Sequence, residues 1–345
     1  MKSALITGGS GFLGLNLSIK LLEKGFEVTI LDINEITDDI PEKVNYIKGD
    51  ILDAKKVSSA IKGMDIVFHT AALVPISAAG KRFFEVNVEG TKNVADACLE
   101  HGARLVHISS SSVYDLDSGM PLTENSPIKK TKEGYEYSKY LADEYVQSLM
   151  EKGLEATIIR PRVILGPGRL GIFQILFEWL SEGKKIFIIG NGKNKFQMIS
   201  VSDLCDACII SSENNEALGE IINIGTSNFR TLGEDLQELI NYAKTGSKIV
   251  KVHPFIARIP LSILFNLKLS PIVPFHYKTM YKEFYFDISK AKKMLNWEPK
   301  DSNIKMLKES YEWYIKHKKT VDSNKGTTHK SSPRQKLLCL IKKLS

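Results

Sequence analysis

The chain has 345 residues, of which 43% are hydrophobic, 25% charged and 9% aromatic. This composition is typical of a folded protein and excludes a disordered chain, a collagen-like repeat and a mini-protein that depends on disulfides. The formal net charge is +7, but residues 316–345 contain nine basic residues and one acid. The rest of the chain is therefore almost neutral, which argues against a nucleic-acid-binding domain, because such a domain carries its positive charge on a folded face.

Short apolar strands alternate with helical segments through the first half of the chain. Residues 3–7 predict a strand, residues 8–14 a glycine turn, and the apolar spacing from Leu15 a helix. A second strand, 27–31, ends at Asp32. Further strands are predicted at 44–47, 65–69, 105–108 and 156–159, with helices near 53–62, 83–101 and 135–152. This alternation predicts an α/β fold of the Rossmann type, a doubly wound parallel sheet that binds ligands at the carboxyl ends of its strands.

The pattern changes from about residue 166, where Gly- and Pro-rich turns separate a helix near 172–182, a strand at 186–189 and a helix near 202–212. We expect a smaller substrate lobe here. The predicted organisation is a nucleotide-binding domain over 1–165, to which some later segments return, a substrate lobe over 166–319, and a basic linker with a short amphipathic tail over 320–345.

A glycine motif, Gly8-x-x-Gly11-x-x-Gly14, follows the first strand and opens the first helix. Such glycines let the backbone approach a pyrophosphate, whose charge is met by the free N–H groups of the helix N-terminus. Asp32, 18 residues after Gly14, ends the second strand, where a carboxylate binds a ribose diol and repels a 2′-phosphate. The order of these elements predicts a dinucleotide site that prefers NAD to NADP.

Two polar groups suggest catalysis. Tyr135 and Lys139 are four residues apart on a predicted helix and so share one face. An ammonium beside a phenol lowers its pKa, which would allow the phenol to exchange a proton with an alcohol. The serine run 109–112 follows a strand, where a hydroxyl could hold a substrate oxygen. Each pattern also has an ordinary interpretation, a solvated helix face or an N-capping turn.

Taken together, these patterns resemble the extended short-chain dehydrogenase/reductases, the NAD-dependent epimerase/dehydratase superfamily, over residues 1 to about 315. The markers are the glycine motif, Gly49-Asp50-Ile51, His69-Thr70-Ala71-Ala72, Asn87-Val88-Glu89-Gly90-Thr91, Ser109 to Tyr114, Arg160-Pro161 and, later, Val201-Ser202-Asp203-Leu204 and Asp287 to Pro299. The resemblance implies catalytic Ser110, Tyr135 and Lys139, and cofactor contacts from Gly8, Gly11, Phe12, Leu13, Asp32, Asp50, Ile51, Thr70, Ala71, Ala72, Asn87, Tyr135, Lys139 and Pro161.

The chemistry that the resemblance implies is hydride transfer between the nicotinamide and a secondary alcohol or ketone carbon of a small molecule. Tyr135 would move the hydroxyl proton, Lys139 would lower the pKa of Tyr135 and bind the nicotinamide ribose, and Ser110 would orient the substrate oxygen. A homodimer, formed through the helices near 87–100 and 135–150, is a further expectation from the family.

The sequence departs from the family pattern where members that act on nucleotide sugars carry a diphosphate-binding arginine. The corresponding triplet is Phe196-Gln197-Met198, and residues 275–286 contain no arginine. Lys195, Lys278 or Arg230 could substitute as point charges. In addition, residues 254–275 resemble the apolar insert of the 3β-hydroxysteroid and sterol dehydrogenase branch. This insert could line an apolar pocket, dip into a membrane surface, or form buried lobe core.

Two substrate hypotheses therefore stay open. The first is a sugar, nucleotide-linked, that is epimerised or dehydrated with NAD held tightly. The second is a steroid-like or lipid-like alcohol that is oxidised with NAD released. A non-catalytic NAD-binding regulator is a third hypothesis, which the complete Ser-Tyr-Lys set opposes.

The tail and the cysteines bear on location. Residues 334–344 place leucines on one helical face with lysines around it, which is typical of an interfacial helix, of a helix docked on its own subunit, or of a solubilising tail. No metal site is predicted, since Cys205-x-x-Cys208 has no second cysteine pair and these cysteines are expected in the core. With four scattered cysteines and an N-terminus that enters a strand at once, we expect a cytoplasmic protein, with peripheral contact at the inner face of the membrane through the tail as an alternative.

Overall fold

The computed structural model of the protein describes residues 1–35, 40–75, 80–129, 131–169, 171–266 and 274–323. The described strands, in chain order, are β1 Ser3–Thr7, β2 Glu27–Asp32, β3 Asn45–Lys48, β4 Ile66–His69, β5 Arg104–Ile108, β6 Ala156–Pro161, β7 Val163–Leu165, β8 Ile186–Ile189, β9 Met198–Ser200, β10 Ile221–Ile224 and β11 Ile249–Val252. The first six strands correspond to those predicted from the sequence, with boundaries that differ by one or two residues.

Seven of these strands form one parallel sheet in the order β3-β2-β1-β4-β5-β6-β10. The chain runs outward from β1 to β3, then returns to β4 and continues in the opposite direction, which is the doubly wound arrangement of a Rossmann-type fold. The predicted fold class is thus confirmed. β10 pairs with β6 although it lies in the later half of the chain, so the sheet draws on that half as well.

The helices cover both faces of the sheet and build the lobe. They are α1 Phe12–Glu23, α2 Ala54–Ile61, α3 Arg82–Phe84, α4 Gly90–His101, α5 Gly134–Met150, α6 Ile172–Ser181, α7 Val201–Glu213, α8 Leu232–Ala243, α9 Pro254–Asn266, α10 Pro274–Thr279, α11 Ser289–Leu295 and α12 Asn303–Ser323. A π-helical segment, Glu85–Glu89, joins α3 to α4, so the helix predicted over 83–101 consists of three helical segments.

The sheet is buried on both faces, because alternate side chains of each strand enter different cores. On β1, Ala4 and Ile6 pack with α1, α7 and α11, whereas Leu5 packs on the opposite face with α2, α4 and α5. This double burial explains why the strands are continuous apolar runs without polar alternation. Cys205 and Cys208 are fully buried in the first of these cores, as expected for core cysteines.

The lobe has its own core and two small parallel sheets. β7 pairs with β9, and β8 pairs with β11. The core of the lobe contains aromatic and aliphatic side chains from α6, α8 and α12. The sequence analysis did not predict α8 or α12 as separate helices, and the terminal helix continues to Ser323, beyond the expected end of the globular part near residue 319.

The apolar stretch after residue 254 begins with α9, which contains Pro260. Four of its side chains are exposed, Phe255 by 68%, Ile256 by 65%, Ile259 by 52% and Ile263 by 53%. This part of the stretch is therefore not buried lobe core. None of the described helices is both long enough and apolar enough to cross a membrane. The amphipathic tail over 334–344 lies outside the described residues.

Candidate active site

A cavity of about 1180 Å³ opens where the carboxyl ends of the strands face the lobe. We call its two sides the sheet wall, formed by the ends of β1, β2, β4 and β5 together with α5, and the lobe wall, formed by residues from Arg162 onward. Apart from Asn87, every residue predicted to contact the cofactor or to act in catalysis lines this cavity. The fold thus brings together side chains that are separated by more than 150 residues in the sequence.

The glycine turn forms the centre of the sheet wall. Gly8 has φ +71°, and a Cβ there would lie 2.6 Å from the backbone of Ala71. A Cβ on Gly14 would lie 2.5 Å from the carbonyl oxygen of Gly8. The turn therefore needs glycine, and the N-terminus of α1 at Gly11 has no side-chain cap. Its free N–H groups face the cavity edge, which is the cradle that a pyrophosphate requires.

The carboxylate of Asp32 lies at the end of β2, beside this turn. It accepts hydrogen bonds from the backbone N–H of Ser10, at 3.0 Å, and of Asn34, at 2.9 Å. These bonds fix the carboxylate at the edge of the cavity, where Asp50 and Ile51 also lie. The donor set fits NAD: the turn would hold its pyrophosphate, Asp32 its adenosine ribose, and Asp50 with Ile51 its adenine.

Ser110, Tyr135 and Lys139 meet at the opposite end of the sheet wall. Ser110 follows β5 and caps a short 3-10 helix by accepting a hydrogen bond from the N–H of Ser112 at 3.2 Å. Its hydroxyl also lies close enough to the Tyr135 hydroxyl to lower the pKa of that phenol. The serine run is therefore both a capping turn and part of the candidate site.

Lys139 is buried on α5, and its Nζ donates to the carbonyl oxygen of Ile108 at 2.7 Å. Burial lowers the pKa of Lys139 to about 8, while the negative charge of Asp143 raises it. Asp143 lies one turn later on the same helix and also pairs with Arg160, whose Nε lies 3.0 Å from its Oδ2. Sequence reasoning did not identify Asp143, although its spacing of four from Lys139 placed it on the same helix face.

The acidity of Tyr135 differs from the expectation. Burial raises its pKa to about 12, and this outweighs the lowering by Ser110 and by the positive charge of Arg169. Because the Lys139 ammonium donates to a backbone carbonyl, the cation that acts on the phenol in this geometry is Arg169. The expected net lowering of the Tyr135 pKa by Lys139 is thus absent from this arrangement of side chains.

Asn87 is the predicted cofactor residue that the structure places away from the cavity. Its side-chain oxygen accepts from the N–H of Leu73 at 2.7 Å, and its Nδ2 donates to the carbonyl of Leu73 and to the hydroxyl of Ser138. These bonds join the loop after β4 to α5. Asn87 therefore acts on the site by holding the segment next to Lys139.

Two histidines lie behind the sheet wall. His69 is hydrogen-bonded to the hydroxyls of Thr7 and Thr91, at 2.7 and 3.0 Å, and its ring stacks on that of His107. Burial, together with neighbouring positive charge, lowers the pKa of both histidines, so both are neutral at pH 7. Their burial and their contacts are those of structural histidines.

The lobe wall is apolar along most of its length. Its aliphatic and aromatic lining comes from α6, β8, β9, α8, α9 and α12, and includes Phe173, Leu176, Trp179, Ile188, Met198, Leu236, Ile256, Leu261, Phe284 and Leu307. The first turns of α9 thus belong to the cavity, which agrees with one of the alternatives that the sequence left open.

The cations considered as substitutes for a diphosphate clamp do not line the cavity. Arg230 is paired with Asp235 and Glu238, at 3.0 and 2.6 Å. Lys195 lies over the ring of Tyr285, and Lys278 is exposed. Within the triplet at 196–198, the Gln197 amide donates to the carbonyl oxygen of Thr226 and accepts from the N–H of Phe286. The clamp predicted to be missing is thus not replaced by any of these candidates.

Three arginines that sequence reasoning missed line the cavity: Arg82, which is exposed, and Arg162 and Arg169. Arg162 is 1% exposed, and its Nη1 donates to the hydroxyl of Ser111 at 3.0 Å. Its guanidinium stacks on Phe284, 3.5 Å from the ring centroid. Arg169 lies over the ring of Phe12. For Arg162 and Arg169, the only signal in the sequence was their position, just after Arg160-Pro161 and Gly166-Pro167-Gly168.

Comparison with known proteins agrees with this geometry. Residues 4–225 match the model of the "NAD dependent epimerase/dehydratase family". The protein described as "Uncharacterized protein y4nG" of Sinorhizobium fredii is 37% identical over 99% of this chain and 86% of its own length. The epimerase Mth375 of Methanothermobacter thermautotrophicus is similar in structure, with a TM-score of 0.77, 25% identity, and coverage of 93% of this chain and 94% of that one.

Two further relatives have names that state an activity. Human "Sterol-4-alpha-carboxylate 3-dehydrogenase, decarboxylating" is 35% identical in an alignment that covers 61% of this chain and 58% of that protein. The "UDP-N-acetyl-alpha-D-glucosaminuronate decarboxylase" of Bacillus cytotoxicus is 28% identical over 91% of this chain and 98% of its own length. The first name refers to a sterol and the second to a nucleotide sugar.

Proposed function

Because the chain belongs to the NAD-dependent epimerase/dehydratase family, we propose that it is an NAD-dependent dehydrogenase that oxidises a secondary alcohol on a large apolar molecule of lipid-like or sterol-like character. The family membership and the dinucleotide cradle establish an NAD-dependent enzyme. The proposal concerns the substrate and the direction, and a single observation carries it: the lobe wall is lined by aliphatic and aromatic side chains.

An apolar wall favours an apolar substrate, because binding then gains free energy from each buried hydrocarbon group, about 25 cal/mol per Å². A nucleotide diphosphate would have to leave its charges without partners along this wall. Of the three arginines that line the cavity, Arg162 lies beside Ser111 and Arg169 beside Tyr135. Asp235 and Asn303, which also reach the wall, are hydrogen-bonded to each other at 2.9 Å.

In the proposed reaction, Ser110 holds the substrate hydroxyl and Tyr135 takes its proton, while Arg169 supplies the positive charge that acts on the phenol. NAD, when bound, accepts a hydride from the carbinol carbon. Asp143 is a positioning residue, since its charge supports the protonated form of Lys139. The apolar lobe wall excludes water from the reacting carbon.

The alternative is an epimerase or decarboxylase acting on a nucleotide sugar, and one observation favours it. The nucleotide-sugar relative aligns with nearly its whole length, whereas the sterol relative aligns with a little over half of its length. Against this alternative stand the uncharged triplet at 196–198 and the pairing of Arg230 with two acids.

In the deciding experiment, purified protein is incubated with NAD and, in separate reactions, with each of three candidate substrates: a 3β-hydroxysteroid, a twelve-carbon secondary alcohol and a UDP-hexose. NADH is followed by absorbance, and products by mass spectrometry. We expect NADH to accumulate with one or both apolar alcohols. Conversion of the UDP-hexose without net NADH, together with NAD that stays bound through purification, would instead support the nucleotide-sugar alternative and overturn the proposal.

A further inference from the structure

We infer that Arg162 and Arg169 form a carboxylate-binding subsite beside the reacting carbon, so that the substrate is a hydroxy acid whose carboxylate lies next to the alcohol that is oxidised. This inference rests on the proposed function and extends it from an apolar alcohol to an apolar hydroxy acid. Neither guanidinium group has a partner acid among the described residues.

Arg162 is a desolvated cation with spare donors. Its Nη1 is bonded to Ser111, but its Nε and Nη2 have no hydrogen-bond partner in the described part of the chain. Three aromatic rings surround it, those of Phe196, Phe284 and Phe286. Burial lowers its pKa to about 9, which still leaves the guanidinium charged at neutral pH. A buried charge that lacks a counter-ion is costly to fold, so its retention calls for an anionic ligand.

Arg169 is half-buried and lies near Tyr135. Its Nε lacks a partner among the described residues, burial lowers its pKa to about 9, and the charge it interacts with is that of Tyr135. Arg162 is therefore bonded to the chain neighbour of Ser110, and Arg169 interacts with Tyr135. Ser110 and Tyr135 are the two side chains that would hold the substrate hydroxyl.

The charges near the reacting group do not balance without a further anion. Among the described residues, the buried cations here are Lys139, Arg160 and Arg162, and Arg169 is half-buried. The one buried acid that interacts with them is Asp143, which pairs with Arg160 and supports Lys139. The other acids that line the cavity do not neutralise these cations. Asp32, Glu35 and Asp50 lie at the end expected to hold the adenosine, and Asp235 is paired with Arg230. An anion beside Ser110 and Tyr135 would balance this positive potential.

A carboxylate fits this place better than a phosphate group in a diphosphate. The two arginines are at the reacting end, so the anion they bind lies within a few bonds of the carbinol carbon, while the remainder of the substrate lies along the apolar wall. A planar carboxylate matches the fork of a guanidinium. An apolar hydroxy acid has its charge at one end and its hydrocarbon at the other, which matches a cavity with arginines at one end and an apolar wall along the rest.

The test compares 3-hydroxydodecanoate with its methyl ester, which has the same chain and alcohol but no charge. Binding to the full-length protein saturated with NAD is measured by calorimetry for the wild type and for the variants Arg162→Met, Arg169→Met and Arg104→Met. The last is the control, because Arg104 lies at the amino end of β5, away from the cavity, and bonds Asn214 and Asn215.

We expect the wild type and R104M to bind the acid about tenfold to a hundredfold more tightly than the ester, since a charge-assisted hydrogen bond to a buried arginine is worth that ratio. R162M and R169M should lose most of this preference through weaker binding of the acid, with the affinity for the ester unchanged. Should either methionine variant be unfolded by circular dichroism, Arg162→Gln and Arg169→Gln provide the same comparison.

Several outcomes would overturn the inference. Equal affinity of the wild type for acid and ester would show that no anion subsite operates, while oxidation of the ester would leave the proposed function intact. A loss of NAD affinity in R169M with an unchanged acid preference would assign Arg169 to the cofactor. If dodecyl phosphate binds more tightly than the acid, and this binding depends on Arg162, the subsite would be one for phosphate and not for carboxylate. Binding of UDP but of none of the twelve-carbon compounds would refute the proposed function itself.

Discussion

On the sheet side of the cavity the buried charged groups have hydrogen-bond partners in the chain, whereas on the lobe wall two cations have no acid beside them among the described residues. The contrast is sharpest between two arginines only two residues apart. Arg160 is bonded to Asp143 and to the hydroxyl of Tyr114, but Arg162 has one neutral partner and three aromatic rings around it. The sheet wall is thus complete within the chain, while the lobe wall has donors left for a ligand.

The largest expected effect tests the catalytic part of the sheet wall. Tyr135→Phe removes the hydroxyl that moves the proton, and turnover should fall by about 10²- to 10⁴-fold, with NAD affinity nearly unchanged. Tyr140→Phe is the matched control on the same helix, because its hydroxyl bonds Glu144 at the surface. Initial rates of NADH formation measure both variants. Full activity of Y135F would exclude Tyr135 as the proton-transferring group.

The second prediction compares the paired with the unpaired arginine. Arg160→Met should lower the free energy of unfolding by about 3–5 kcal/mol, since it leaves Asp143 buried without its guanidinium. Arg162→Met removes a charge that has no acid partner among the described residues, so stability should stay the same or rise by about 1 kcal/mol. Urea unfolding measures both. Similar losses in the two variants would show that Arg162 is held as firmly as Arg160 by its surroundings.

The third prediction concerns pH and the histidines behind the sheet wall. Their folded-state pKa values lie below the ordinary 6.5, so below about pH 6.5 the unfolded chain binds protons that the folded chain does not. The free energy of unfolding should therefore decrease as the pH falls from 6.5, by about 1.4 kcal/mol per pH unit for each histidine. His69→Gln should show a shallower decrease in urea titrations at several pH values. An identical slope in wild type and variant would contradict this assignment.

The smallest expected effect tests which face of α9 belongs to the cavity. Leu261 lines the lobe wall, whereas Ile263 is 53% exposed. Leu261→Ala should raise the KM for a twelve-carbon alcohol about fivefold, because it removes about 1 kcal/mol of apolar contact, and Ile263→Ala should leave it unchanged. Steady-state kinetics measures both. If the two variants behave alike, the apolar wall of the cavity ends before α9.

Sequence patterns located most of the sheet wall because its constraints are local. The turn at Gly8 and Gly14 needs glycine for steric reasons that hold wherever a strand leads into such a helix, and Tyr135 and Lys139 share a helix face by their spacing alone. Asn87 shows what local reasoning omits: its motif was recognised, but its hydrogen bonds to Leu73 and Ser138 could not be read from that motif.

The lobe wall depends on contacts between distant parts of the chain. Arg162 meets Phe284 across more than 120 residues, and Arg230 is withdrawn from the cavity by Asp235 and Glu238. No periodicity in the sequence reports whether a cation is paired. Helix α8 and strand β10 were missed for a related reason, since the position of each is decided by the partner it packs against.

The sequence by itself predicted the α/β fold and the NAD cofactor, because the strand and helix periodicity and the glycine turn are local features, and its family resemblance predicted the Ser-Tyr-Lys set. Only the tertiary structure decided which charges are neutralised and which face the cavity, because burial and ion pairing join residues far apart in the chain. The apolar lobe wall and the unpaired Arg162 and Arg169 belong to this second class, and they are the features from which the substrate is inferred.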